Sequence, residues 1–339
     1  MNWKALTLKK RRLDALRPLD PALVLNLSAW LRIELTYASN ALEGNTLTRQ
    51  ETALVVEEGL SVGGKSLREH LEAVNHAKAL DWVLEISRSK APLDEAQVLR
   101  IHELVLKGIL DEHAGRYRGV AVRISGSRSI LPSPLKVPRL MAELGQFLHA
   151  GPQGLHPAEF AAEAHLRLVS IHPFVDGNGR SGRLLLNLAL LKHGYPLAII
   201  RLKDRLKYLQ ALEEVQTGGP RQAYDQLIYE AVDRGLDVWL EAAQGRAPRS
   251  SGAKAKTAAR PGGLWRIGQL ARATGEPVAT LRYWTKLGLL TAGGSTEKGY
   301  TLYEPESLAV ALKIRALQRQ RLSLAEIAER LRTVKGLSK

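Results

Sequence analysis

Apolar residues recur at three- and four-residue spacing through nine successive segments of this chain: 22–37, 49–58, 67–86, 94–106, 135–148, 157–170, 183–192, 203–215 and 222–243. A 3.6-residue period gives each helix one apolar stripe, so these segments fold as helices packed stripe against stripe. The expected fold class is mainly α. One segment departs from the pattern. Between Tyr117 and Leu131 the residues Val-Ala-Val-Arg-Ile alternate with β-branched side chains and lead into Ser125-Gly126-Ser127. A short β-hairpin is expected there, with Val120 to Leu131 as its body.

The helical pattern stops at residues 246–263, RAPRSSGAKAKTAARPGG, where almost nothing can be buried. This stretch reads as a flexible basic linker between a domain at 1–245 and a smaller one at 264–339. Charge is divided just as sharply. Beyond residue 245 there are 18 Lys and Arg against 6 Asp and Glu, while the first 245 residues carry 31 against 28. An excess of twelve positive charges on the last quarter is the footprint of a polyanion, and double-stranded DNA is the partner expected. There is no Cys, so disulfides, Cys-ligated metals and thiol nucleophiles are excluded. No long uncharged apolar run and no leader-like N-terminus is visible, so no membrane partner and a cytoplasmic location are expected.

After the linker, helices are expected over Leu264–Thr274 and Pro277–Leu287 around the turn Thr274-Gly275-Glu276, the spacing of a helix-turn-helix. A wing is expected over Leu289–Tyr303 around Ala292-Gly293-Gly294-Ser295, followed by helices over Glu306–Arg319 and Leu324–Arg332.

Chemistry concentrates in His172-Pro-Phe174-Val-Asp176-Gly177-Asn178-Gly179-Arg180-Ser-Gly-Arg183, which runs directly into the apolar helix LLLNLALLKH. Glycines flanking Asn178 at a helix N-terminus let backbone N–H groups converge on an anion, and the helix dipole adds positive potential. Arg180 and Arg183, three apart on the first turn, add charged donors for phosphate. Asp176 offers a hard oxygen to Mg²⁺, and His172 is the group there that titrates near neutrality, a natural general base. Together these parts describe nucleotidyl or phosphoryl transfer. A zinc reading of His165 with His172, seven residues apart, lacks both an HExxH motif and a Cys partner.

The stretch satisfies each fixed position of the signature HxFx(D/E)GNGRxxR and so resembles the Fic family over roughly residues 20–244. The resemblance implies that His172 deprotonates a Ser, Thr or Tyr hydroxyl of a target protein, which attacks the α-phosphorus of ATP. It implies Mg²⁺ on Asp176, an anion hole from Asn178 with the backbone at Gly177 and Gly179, and outer-phosphate binding by Arg180 and especially Arg183. Phe174 would anchor the loop in the core. Upstream, Ser39-Asn-Ala-Leu-Glu43-Gly44 matches the family's inhibitory pattern (S/T)xxxE(G/N); read only as local structure, it is a helix end with Gly44 just beyond it. The resemblance implies that Glu43 pairs with Arg183 and leaves ATP in a non-productive pose. The hairpin resembles the family's flap, on which a target segment adds as an extra strand; an ordinary hairpin would look the same. His70, His76, His102 and His113 receive no role.

The C-terminal stretch resembles the winged helix-turn-helix of the MerR family over roughly residues 264–332, through Trp265-Arg266-Ile267, Thr280-Leu281-Arg282-Tyr283-Trp284-Thr285-Lys286 and Gly299-Tyr300-Thr301-Leu302-Tyr303. The implied DNA contacts are Arg282, Tyr283 and Lys286 on the recognition helix, with Arg266 and Lys298 beside phosphates. Two departures stand out. Thr301 replaces the usual Arg between the wing tyrosines, and the chain stops at Lys339, before the family's dimerising coiled coil. A homodimer is therefore expected through the Fic portion. The leading expectation is an autoinhibited protein adenylyltransferase, with ATP as substrate and Mg²⁺ as cofactor, coupled to DNA binding and transcriptional regulation. The alternatives are a de-AMPylase in which Glu43 positions water, and a DNA-binding regulator whose Fic site only senses nucleotide.

Overall fold

The computed structural model describes residues 3–245, 264–274, 276, 278–295, 301–304, 306–319, 326–327 and 330. The chain divides into two compact units, Met1–Arg249 and Ser250–Lys339. The first unit holds α1 (Lys4–Asp14), α2 (Pro21–Leu42), α3 (Arg49–Glu57), α4 (Leu67–Ile86), α5 (Glu95–Leu106), α6 (Val137–Ala150), α7 (Pro157–Ile171), α8 (Asn178–Lys192), α9 (Arg205–Gln216) and α10 (Gln222–Ala243). Several helices start where local chemistry dictates. Thr48 with Glu51, Ser66 with Glu69, and Asp94 with Gln97 form reciprocal capping boxes on α3, α4 and α5. Among the described residues, no helix is long and apolar enough to cross a membrane.

The core is organised around α8. Its residues Leu184, Leu185, Leu186, Leu188, Ala189 and Leu190 are all buried, and helices α2, α4, α5 and α7 pack against it. A helix apolar on every side belongs at the centre of a domain, and each buried leucine contributes about 1.5–3 kcal/mol. The one amide in that run is satisfied. Asn187 donates to the carbonyls of Arg183 at 2.9 Å and Ala198 at 3.1 Å and accepts from the Ala198 N–H at 2.7 Å.

Helix α2 runs five residues past the expected end at Tyr37, because its last turns bury polar groups that apolar periodicity does not register. Thr36, Ser39 and Asn40 are all buried, and Asn40 Nδ2 donates to Thr36 O at 3.1 Å within the helix. Helix α1 was not expected. Its sequence KALTLKKRRLD buries only Leu6 and Leu13, too few apolar positions to register as a stripe.

The hairpin expected over Tyr117–Leu131 is corrected. The segment is extended and turns at Ile124–Ser127, where the Ser127 N–H reaches Ile124 O at 3.1 Å, but no strand ladder forms. An isolated two-stranded ribbon is marginal in water, and here Val120 and Ile130 project into solvent, the latter 94% exposed. Side chains close the loop instead. The buried Arg118 donates to His172 O (2.8 Å), Val120 O (3.0 Å) and Pro132 O (2.6 Å), and farther out Ser129 Oγ donates to Gln216 Oε1 at 2.9 Å.

The second unit contains β1 (Trp265–Arg266), α11 (Ile267–Thr274), α12 (Val278–Lys286), β2 (Gly294–Ser295), β3 (Thr301–Tyr303) and α13 (Ser307–Arg319). Residues 265–266, expected to open the first helix, form a strand instead, because they pair antiparallel with β3, Trp265 opposite Tyr303. With β2 on the other edge of β3, the order is β1-β3-β2. Leu270, Leu281, Trp284, Leu290, Tyr303 and Ile314 form a small core of their own. The linker 246–263, the wing tip at 296–300 and most of the helix expected at Leu324–Arg332 lie outside the described residues.

Candidate active site

The end of α7 and the start of α8 place the motif. His172 caps α7 in the left-handed region at φ 50° and ψ 58°, a conformation that costs a non-glycine residue about 1–3 kcal/mol and persists only when its surroundings impose it. They do so here. The His172 N–H bonds Leu168 O at 2.9 Å, and its carbonyl accepts from buried Arg118. Burial depresses the His172 pKa, with Arg118 acting in the same direction, against a bond to the Val169 carbonyl and the charges of Glu43 and Asp176. The imidazole is therefore neutral at pH 7, the protonation state a base needs.

Phe174 is fully buried and stacks on His102 with ring centroids 3.6 Å apart. His102, given no role from sequence, accepts the Gly115 N–H at Nδ1 (3.0 Å), so its Nε2 carries the proton and donates to Asp176 O at 3.0 Å. Burial holds its pKa down to about 4. The Asn178 side chain is committed to the loop itself, bonding both N–H (3.0 Å) and C=O (2.9 Å) of Phe174. That leaves its backbone N–H, at the start of α8, as the part of Asn178 not engaged with Phe174. Gly177 caps α8 at φ 77°.

The two motif arginines point to different partners. Arg180 is buried, with Nη1 3.3 Å from Glu72 and Nη2 3.4 Å from Asp176. It braces the Asp176 loop, while its Nε has no hydrogen-bond acceptor. Arg183 turns to the end of α2. Its Nε donates to Ser39 Oγ at 3.0 Å, and Nη2 reaches Ser39 O at 2.8 Å and Glu43 Oε1 at 2.7 Å. Burial opposes the Arg183 charge, but Glu43 and Tyr208 outweigh it, so its proton is held more tightly than usual. Glu43 is the C-cap of α2, and Gly44 follows at φ 98°.

Glu43 lies directly over the first turn of α8. A Cβ added to Gly179 would run into Glu43 Oε1, with Arg183 Nη1 3.0 Å away, so only glycine admits the carboxylate against the first turn of α8. The end of α2 is tied in place by Asn45 Nδ2 to Glu72 Oε2 at 3.0 Å and by Arg205 Nε to Leu42 O at 2.8 Å. Glu43, His172, Asn178, Gly179, Arg183 and Tyr208 share one cavity of about 190 Å³, with Ile124–Ser127 of the extended loop at its side. A larger cavity of about 700 Å³, lined by Leu13, Leu19, Leu31 and Trp239 among others, gathers no carboxylate or histidine. Volume alone does not locate the chemistry.

Asp176 accepts from Arg68 Nη2 at 2.6 Å and from the Gly177 N–H at 2.6 Å. Among the described residues no cluster of three metal-ligating side chains exists. A lone carboxylate fits Mg²⁺ when phosphate and water oxygens complete the shell, and fits a zinc-type site poorly. Arg68, Glu72, Arg118 and Tyr208 had no sequence signal as site residues. Each is an ordinary polar residue on a helix or loop, brought in by packing.

On the other unit, Arg282, Tyr283 and Lys286 are exposed together on α12, Tyr283 by 53%. Arg266 lies in β1, and Lys298 falls outside the described residues.

Comparison with known proteins agrees with both units. Residues 92–190 match the Fic/DOC family and residues 265–334 the MerR HTH family of regulatory proteins. The chain is 38% identical over 208 residues to Protein adenylyltransferase Fic of Nematostella vectensis, an alignment spanning 60% of this chain and 48% of that protein. It therefore spans about half the length of the curated relatives it matches. Among solved structures it resembles a Fic domain-containing signaling protein of Bacteroides thetaiotaomicron, with TM-score 0.67 and 29% identity, covering 74% of this chain and 100% of the other. Fic-1 of C. elegans is also similar, with TM-score 0.65, 26% identity and 72% coverage of each.

Proposed function

From a chain that carries a Fic domain and a C-terminal MerR-type helix-turn-helix, we propose a protein adenylyltransferase held inactive by its own α2 and coupled to DNA binding. The observation that carries this reading is the carboxylate of Glu43 seated on Arg183 over Gly179, in the cavity that also holds His172. A carboxylate placed where helix N–H groups and a buried arginine converge stands in for a phosphate.

In the reaction, neutral His172 takes the proton of a target hydroxyl while that oxygen attacks the α-phosphorus of ATP. The new O–P bond forms as the bond to the β-phosphate bridge breaks, and pyrophosphate leaves. The N–H groups of Asn178 and Gly179 and the α8 dipole stabilise charge on the transferred phosphoryl, and Arg183 orients the outer phosphates. Asp176 would hold Mg²⁺, which neutralises phosphate charge. With Glu43 on Arg183, the outer phosphates lose that donor.

Incubating wild-type and Glu43→Gly protein with Mg-ATP and cell lysate, followed by mass spectrometry for added AMP, tests the reading. The variant should gain transfer by about tenfold or more, corresponding to the roughly 1.4 kcal/mol or more of inhibition that it removes. His172→Ala in the same background should lower it by about 10²–10⁴. Glu43 also shares the cavity with His172, and a carboxylate beside a base can orient water, which favours AMP removal as the second reading. Loss of an AMP-removing activity in Glu43→Gly, with no gain in transfer, would select it. Absence of both activities would leave a nucleotide-sensing regulator. For the second unit we propose that α12 enters the major groove through Arg282, Tyr283 and Lys286, with Arg266 and Lys298 near phosphates, as a dimer made by the first unit. Gel-shift and light-scattering measurements test this, a monomer with tight sequence-specific binding being the contrary result.

A further inference from the structure

Arg183 has a second neighbour that does not come from α2. Tyr208 on α9 lines the same cavity and interacts with its charge, and behind Tyr208 lies His165 of α7, whose Nε2 is 2.9 Å from the Tyr208 hydroxyl. His165 Nδ1 is 2.8 Å from the hydroxyl of Tyr224 on α10, and that hydroxyl donates to Ala162 O at 2.7 Å. All four side chains are buried.

One arrangement of hydrogens satisfies this chain. The Ala162 carbonyl only accepts, so it takes the single Tyr224 O–H, and the Tyr224 oxygen must accept from Nδ1–H of His165. That tautomer leaves Nε2 as a lone pair, which accepts the Tyr208 O–H. The Tyr208 oxygen is then left to accept, and the charged group it interacts with is the guanidinium of Arg183, which only donates. Burial keeps His165 neutral, its pKa near 3, with the Arg183 charge acting in the same direction. Burial likewise keeps the Tyr208 hydroxyl protonated.

We propose that Tyr208, set by His165 and Tyr224, is the positioning residue that keeps Arg183 aimed at the outer phosphates of the nucleotide once Glu43 has withdrawn. The inference rests on the nucleotide-binding role proposed above for Arg183. Ser39 and Glu43 both belong to the end of α2, so their holds on Arg183 can be lost together when that end moves. Tyr208 sits on a different helix, three residues along α9 from Arg205, whose bond to Leu42 O links α9 to that end. His165 thus acts as an oriented acceptor within the protein, with no need of a metal.

The test uses the full chain with Glu43→Gly, measuring binding of ATP and of AMP by calorimetry. Tyr208→Phe removes the oxygen and little volume. It should weaken ATP about tenfold while leaving AMP within about twofold, and raise KM for ATP more than it lowers kcat. Arg183→Ala should show the same ATP-selective loss. His165→Leu should follow Tyr208→Phe, and His165→Gln, whose amide oxygen can accept from Tyr208, should restore most of the ATP affinity. If Arg183→Ala is ATP-selective but Tyr208→Phe binds both nucleotides like its parent, or loses both equally, the positioning role is overturned and the nucleotide site stands. If Arg183→Ala itself fails to discriminate ATP from AMP, the nucleotide reading falls and the positioning role falls with it. Tyr208→Phe decides the matter even if the His165 variants fail to fold.

Discussion

Arg183 and Arg282 do opposite things with the same side chain. In the first unit Arg183 is buried, Ser39 and Glu43 hold it from the end of α2, and Tyr208 lines the same cavity. In the second unit Arg282 is exposed on α12 and makes no ion pair among the described residues. A guanidinium fixed before its ligand arrives can place a phosphate to within the tolerance of an in-line displacement, and little is lost to reorganisation at the moment of reaction. One left in solvent is ordered only on binding and gains from the release of counterions on a polyanion. The difference teaches that the net positive charge of a chain says little about what an arginine does. Its burial and its partners decide.

The comparison can be broken most sharply at His172. In the Glu43→Gly background His172→Ala should lower AMP transfer by about 10²–10⁴, and DNA affinity by gel shift should stay put. A parallel loss of DNA binding would mean that the two units share one function. Salt gives the next largest contrast. If Arg266, Arg282, Lys286 and Lys298 all neutralise phosphates, about four per copy, DNA affinity should drop on the order of 10² between 50 and 200 mM salt, whereas AMP transfer, built on buried pairs, should change only a few-fold. Equal salt slopes would erase the distinction drawn here. A smaller effect is expected from Arg282→Ala, about 1–3 kcal/mol in DNA binding with relaxed sequence preference if it reads a base edge, and a uniform loss across sequences if it touches phosphate.

The smallest effect is a pH shift. The His172 pKa is depressed, chiefly by burial, so the base-competent neutral form survives below the pH at which a free imidazole would protonate. Transfer by Glu43→Gly protein should therefore fall only as pH drops through a midpoint below the usual 6.5. Because the Glu43 charge raises the His172 pKa, its removal moves that midpoint further down. A midpoint above 6.5 in the rate profile would show that another group is titrating, or that His172 is solvated during turnover.

The chain itself determined the helical class, the capping boxes on three helices and the loop-to-helix turn that carries His172 to Arg183, because each depends on residues within a few positions of one another. The pattern Ser39 to Gly44 was legible as a helix end for the same reason, and its resemblance to an inhibitory element pointed to Arg183. Tertiary packing decided the rest. It split Arg180 from Arg183, giving one to Glu72 and Asp176 and the other to the end of α2. It committed the Asn178 side chain to Phe174 and replaced an expected hairpin with a loop fastened by Arg118. It also assembled the chain from Ala162 through Tyr224 and His165 to Tyr208, which takes residues from three helices and ends in the cavity of Arg183. Periodicity reports which face of a helix is apolar. It does not report which polar side chain from 60 or 140 residues away will meet it there, because a buried hydrogen bond is selected by geometry that exists only after the helices have packed.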